Sequence, residues 1–158
     1  MAIAVFPEYR IKRAKSTADA MKKLIDYKIF NRYKDIIMIS AIIGYNENRY
    51  VEIDKFAEPV LMTFFKQRDY DLMDLIAFAY KKDPELLHSE KKYKIFESFA
   101  NGGFPILLRK LGLEDIESRE SFSPEEVKTL QKKYYTLLIS DSFIPKDISV
   151  TDDDLFIS

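Results

Sequence analysis

Apolar residues recur at helical spacing along most of this chain. In "ADAMKKLIDYKIF", Ala18, Met21, Leu24, Ile25 and Ile29 fall on one face, and Ser16-Thr17 stand where a helix would begin. Asn31 is placed to cap a second helix, "RYKDIIMISAII", with Gly44 expected at its left-handed end. Beyond Asp35 that helix is apolar almost all round, so it is expected at the centre of the core. "YNENRYVEID" reads as a polar loop or a short hairpin arm. A third helix is predicted from Glu58-Pro59 through "VLMTFFKQR". A fourth is predicted over "DYDLMDLIAFAYKK", whose first-turn acids and last-turn lysines suit the helix dipole, and Asp83-Pro84 should stop it.

The stretch "IFESFANGGFPILLRKLGL" interrupts its own pattern. A fifth helix starts near Ser89-Glu90 and carries Tyr93, Phe96 and Ala100 on one face. Asn101, Gly102 and Gly103 tolerate positive φ, and Pro105 is preset for a first helical turn. The spacing therefore predicts a joint at Asn101, Gly102, Gly103 and Pro105, with Phe96, Phe99, Phe104 and Leu107 packed around it. Ser123-Pro124-Glu125-Glu126 then opens a last helix through "VKTLQKKYYTLLIS". The expected fold is all-α: a single compact domain of six or seven helices over 16–140. A flexible basic N-terminal arm, 1–15, precedes it, and an acidic, mobile tail, 141–158, follows.

Composition agrees with one globular domain. The chain has 158 residues and a hydrophobic fraction of 47%, enough to bury a core, and no residue run approaches the ~20 apolar positions of a membrane span. Without cysteine it has no disulfide, thiolate metal site or cysteine nucleophile. No basic leader precedes the short apolar stretch at the N-terminus, so no signal peptide is expected and the cytoplasm is the expected compartment.

Charge changes the picture more. The net charge of −1 hides a gradient: residues 1–50 carry ten Lys/Arg against five Asp/Glu, and residues 114–158 carry five against eleven. A basic front and an acidic end suit different partners. "YRIKRAK" clusters Arg10, Lys12, Arg13 and Lys15 beside Tyr9, the composition that neutralises phosphates while an aromatic ring stacks. An arm that pairs with the protein's own acidic tail would show the same residues. At the other end, Asp152, Asp153 and Asp154 lead into Leu155 and Phe156, a pattern for electrostatic steering followed by apolar anchoring in a partner, and equally for a solubilising end.

No enzyme signature emerges. His88 is the single histidine, which excludes a histidine metal pair and leaves any triad without support. Asp71 and Asp74 lie about a turn apart and could hold a divalent ion, but acids at a helix start need no ion to explain them. There is no Walker loop and no dinucleotide fingerprint. No catalytic residue, metal ligand or cofactor is expected.

Three segments together resemble a known family. "FNRYKDIIMISAIIGYNENRYVEI", "EPVLMTFF" and "IFESFANGGFPIL" are similar to the Dnd (DNA phosphorothioation) system-associated protein 4 family. That family shows a Tyr-Lys-Asp helix, a Gly-Tyr-x-x-x-Arg turn, here ending at Arg49, and a Phe-Glu-x-Tyr-Ala-Asn-Gly-Gly block in which Phe99 replaces the tyrosine. The resemblance covers about residues 10–113 and carries no known active site. It implies a prokaryotic anti-phage setting beside sulphur modification of DNA. The function expected from it is that of a non-enzymatic accessory protein binding DNA, a restriction or modification subunit, or both. Tyr9, Arg10, Lys12, Arg13, Lys15 and Arg49 are its candidate DNA contacts. A small metal-dependent nuclease or nuclease cofactor, and an immunity or antitoxin-like subunit restraining an effector, remain the alternatives.

Overall fold

The computed structural model describes residues 3–139. In chain order the elements are β1 (Arg10–Ile11), α1 (Lys15–Asp26), α2 (Tyr33–Asn46), β2 (Val60–Leu61), α3 (Gln67–Lys81), α4 (Lys91–Leu111) and α5 (Pro124–Ile139), with 3-10 turns at Met62–Phe64, Pro84–His88 and Ile116–Ser118. The architecture is all-α, carried among the described residues by five α-helices rather than six or seven.

The centre is the pair α2–α4. Helix α2 is buried continuously from Ile36 to Gly44, as its all-round apolar sequence requires. Helix α4 buries Phe96, Phe99, Phe104 and Leu107 against it. The two backbones come unusually close. A Cβ on Gly44 would lie 1.9 Å from the Phe99 carbonyl oxygen, and one on Gly103 would lie 1.8 Å from that of Ser40. Only hydrogen in place of a side chain permits this crossing.

That crossing corrects the expected joint. Asn101, Gly102, Gly103 and Pro105 lie inside one unbroken 21-residue helix, α4. Neither glycine has positive φ; among the described residues the only glycine that does is Gly112, at 70°, which caps the end of α4. The local preference of Asn-Gly-Gly for a turn is overridden because the same missing Cβ atoms let α4 dock on α2. Gly44 is corrected likewise: α2 runs two residues past it to Asn46. The Gly102 side of α4 is closed by the chain after α2, where a Cβ would meet the Arg49 carbonyl oxygen at 2.0 Å. The Val51 N–H donates to the Ser98 carbonyl at 3.1 Å and Asn101 Nδ2 donates to the Val51 carbonyl at 3.0 Å, so α4 fastens that loop along its flank.

The predicted third helix is also corrected. Val60–Leu61 is extended and pairs antiparallel with Arg10–Ile11, in the register Arg10↔Leu61 and Ile11↔Val60. Val60 and Met62 point inward while Leu61 is 41% exposed, an alternation of period two that suits a strand. The helix resumes only at Gln67, where the Asp69 carboxylate accepts the Lys66 N–H at 2.8 Å.

The same pairing corrects the flexible basic arm. Ile11 is fully buried, Ala14 bridges to Phe56, and the Tyr9 ring packs 4.7 Å from that of Tyr93. The basic segment is thus built into the domain from Tyr9 onward. Two buried ion pairs complete the interior: Lys34–Asp69 at 2.6 Å and Lys92–Asp74 at 2.9 Å. The acidic tail 141–158 lies outside the described residues.

Candidate anion-binding site

The short β1–β2 ribbon decides where the basic segment goes. Residues alternate across it, so Arg10 stays exposed while Ile11 enters the core. Past the strand, Arg13 reaches the first turn of α2. Its Nε donates to the Glu58 carbonyl at 2.9 Å, and its guanidinium lies 4.5 Å over the Tyr33 ring. Both contacts leave its charge uncompensated, and its buried Nη1 has no hydrogen-bond partner among the described residues. A buried donor without a partner is costly, which sets this guanidinium apart from the other cations among the described residues.

Arg13 lines a pocket of about 340 Å³ together with Arg32, Tyr33, Lys34, Glu58, Pro59, Val60 and Phe64. The floor is the start of α2, whose N-cap, Arg32, is extended and makes no side-chain cap, so the positive end of the helix dipole faces this region. The other two cations are already engaged, and the Glu58 side chain adds a carboxylate to the lining. Lys34 is held by Asp69, and Arg32 Nε contacts Asp35 at 3.1 Å in an exposed pair that solvent weakens. Pro59, Val60 and Phe64, which is 61% exposed, contribute apolar surface to the lining. The site therefore combines one guanidinium free of any ion pair among the described residues with apolar lining, and guanidinium suits an anion by charge and geometry.

The remaining expected DNA contacts divide. Tyr9 and Lys12 turn the other way, to Glu97 on α4. The Tyr9 hydroxyl donates to the two Glu97 carboxylate oxygens at 2.9 and 3.0 Å, and the Lys12 N–H donates to Oε2 at 2.6 Å. The Lys12 ammonium sits 4.5 Å over the Tyr9 ring. Burial pushes the Glu97 carboxyl up to about 7, against the pull of the Lys12 N–H, the Lys12 charge and the Tyr9 hydroxyl. Burial and the Glu97 charge raise Tyr9 in turn, so its hydroxyl stays a donor. Lys15 is exposed at the start of α1 and lines a separate concavity with Lys55 and Asp54. Arg49 is exposed after α2, with its backbone on Gly102, away from the pocket. The structure thus brings only Arg13 of the six into the pocket.

Reading the sequence missed Arg32, Tyr33, Phe64 and Glu97. The basic-aromatic triplet Arg32-Tyr33-Lys34 was visible, but nothing local signals that Arg13 stacks on Tyr33. Asp71 and Asp74, the possible metal pair, are separated: Asp71 is exposed and accepts from Gln67 at 2.9 Å, and Asp74 is buried against Lys92. No cluster of three His, Cys, Asp or Glu side chains fit for a metal occurs among the described residues. Asp152 to Phe156 lie outside them. No helix among the described residues is long and apolar enough to cross a membrane.

The family description of the DNA sulphur modification system-associated protein 4 matches residues 10–131, which include both strands, helices α1 to α4 and the whole pocket. The chain belongs to that family. No curated protein and no solved structure matches it.

Proposed function

We propose that this protein is a non-enzymatic accessory component of a DNA sulphur modification system that binds the DNA backbone through the Arg13 pocket. The observation that carries the reading is the Arg13 guanidinium: stacked on Tyr33, fixed on the Glu58 carbonyl, and without a carboxylate partner among the described residues. Guanidinium fits phosphate by geometry and by charge, and the uncapped start of α2 adds a favourable field. Arg10, exposed on the neighbouring strand, supports a second phosphate contact. The family's association with a DNA sulphur modification system supports DNA as the polyanion.

Fluorescence anisotropy with a labelled duplex tests this. Affinity should fall steeply with salt, be indifferent to base sequence, and drop at least fivefold in Arg13→Ala. The same preparation should leave the duplex uncut with Mg²⁺ or Mn²⁺. Cleavage lost on chelation would instead establish the nuclease alternative.

A second reading, docking to a restriction or modification subunit of the same system, is favoured by exposed apolar side chains outside the pocket. Leu75 and Phe78 are 36% and 40% exposed on α3, and Tyr135 and Leu138 are 60% and 43% exposed on α5. Co-purification of the system's subunits, lost on Phe78→Ser or Tyr135→Ser, would place the partner.

A further inference from the structure

We propose that the cavity beside Glu97 is a further backbone contact, and that a duplex phosphate binds at Lys12 there together with a proton on Glu97; the inference rests on the backbone-binding reading and adds a proton-linked site to it. The cavity, about 140 Å³, is lined by Tyr9, Lys12, Phe56, Lys94 and Glu97 among others. Cavities of that size hold a benzene ring in other proteins, so a phosphate group fits. The Glu97 side chain is buried, with its residue only 4% exposed, yet neither lysine forms an ion pair with it. The Lys12 ammonium donates to the Tyr9 hydroxyl at 3.2 Å, and that hydroxyl donates to Glu97. Lys94 reaches Glu52 instead, at 3.8 Å in an exposed pair that solvent weakens. A hydrogen-bonded line thus runs from ammonium through phenol to carboxylate along the cavity.

Charge decides what this cavity takes. The neighbouring concavity shares Tyr9, Lys12 and Phe56 and adds Glu8, Arg10 and Glu90. Across the two, the cations Arg10, Lys12 and Lys94 stand against the carboxylates Glu8, Glu90 and Glu97. With Glu97 ionised these charges cancel, and a phosphate meets no net attraction. With Glu97 protonated the cations prevail, and the Lys12 ammonium is left to the phosphate. Burial raises the Glu97 carboxyl to about 7, so both forms exist near neutral pH. The adjacent phenols, Tyr9 and Tyr93, are raised by burial and stay neutral. By linkage, a polyanion that prefers the protonated form takes up a proton as it binds.

The test measures duplex affinity at constant salt across neutral pH, with circular dichroism confirming the fold at each pH. Calorimetry in buffers of different ionisation enthalpy counts the protons. Wild-type affinity should fall about threefold to tenfold between about pH 6.5 and about pH 8.5, with a fraction of a proton taken up near the middle of that range. Glu97→Gln keeps the shape and never ionises. It should flatten the profile and bind more tightly than the wild type at about pH 8.5. A carboxylate that merely shapes the segment would do the reverse, weakening binding at every pH when replaced. The proton count needs the wild type alone, so it decides even if the variant does not fold. Binding without proton uptake, or a pH dependence that survives in Glu97→Gln, would overturn the inference while leaving backbone binding intact. Absence of duplex binding at every pH would remove the backbone reading and this inference with it.

Discussion

Gly103 of α4 lies so close to Ser40 of α2 that a Cβ would sit 1.8 Å from the Ser40 carbonyl oxygen and 2.5 Å from the Gly44 nitrogen. Both obstructing atoms are backbone, so neither rotates away. Alanine is the better helix former by about 1 kcal/mol, but that gain is outweighed. Gly103→Ala should destabilise by about 2–4 kcal/mol through overpacking of the crossing, measured by denaturant titration. Gly44→Ala should behave alike, since its Cβ would meet the Phe99 carbonyl. Gly112→Ala meets only the end of the Lys133 side chain, at an unstrained 3.9 Å, and suffers only its positive φ, about 1 kcal/mol. An Asn-Gly-Gly that served a bend would reverse this order.

This pair also shows which parts of the fold were legible in the sequence. The apolar completeness of "IIMISAII" placed α2 at the centre, because a helix without a polar face has nowhere else to go. Ser123 and Glu126 announced the start of α5 and do exchange backbone N–H bonds, at 3.1 and 3.2 Å. Asn101-Gly102-Gly103 was misread because a glycine used for close approach and one used for a turn look identical without the partner helix. Val60–Leu61 was misread because its strand exists only through residues some fifty positions earlier. The site was half legible for the same reason: Arg13 stood out by charge, but its stacking on Tyr33 is a tertiary contact. Glu97 stood in the Phe-Glu block of the family resemblance, but nothing local marked it as buried, since a glutamate inside an apolar helix reads as an exposed one.

Glu97 should make stability fall as pH rises through the weakly acidic range. Its carboxyl is raised from 4.5 to about 7 in the fold, so the folded state holds its proton more tightly than the unfolded chain. The stabilisation is full below the unfolded value and is lost as pH rises towards 7, a change of about 3 kcal/mol at most. Urea titrations between pH 4.5 and 7.5 should show this slope in the wild type and a flatter one in Glu97→Gln. Parallel curves for the two proteins would assign the pH dependence elsewhere.

Lys92 is fully buried and binds three groups: the Asp74 carboxylate at 2.9 Å, the Leu87 carbonyl at 2.8 Å and the Ala4 carbonyl. Lys92→Met should cost about 3–5 kcal/mol, because it strands a buried carboxyl already raised by burial. Adding Asp74→Asn should recover part of the loss, since no charge then remains to be buried. A double variant as unstable as the sum of its parts would mean that the pair is not coupled.

Phe6 and Tyr9 flank Tyr93 with ring centroids at 6.1 and 4.7 Å, and the Phe6 N–H donates to the Tyr93 hydroxyl at 3.2 Å. Removal of residues 1–9 should therefore lower the melting temperature by several degrees, consistent with a loss of about 1–3 kcal/mol. An unchanged melting temperature would show the segment to be a free arm after all.

The salt dependence of duplex binding tests the central claim most directly. In a plot of log affinity against log salt, each phosphate contact adds about 0.9 to the slope for duplex DNA. The account predicts that Arg13→Ala lowers the slope by about one contact, that Arg49→Ala leaves it unchanged, and that both variants keep the wild-type melting temperature within about 3 °C. An Arg13→Ala protein that stays folded and binds with the wild-type affinity and slope would contradict it.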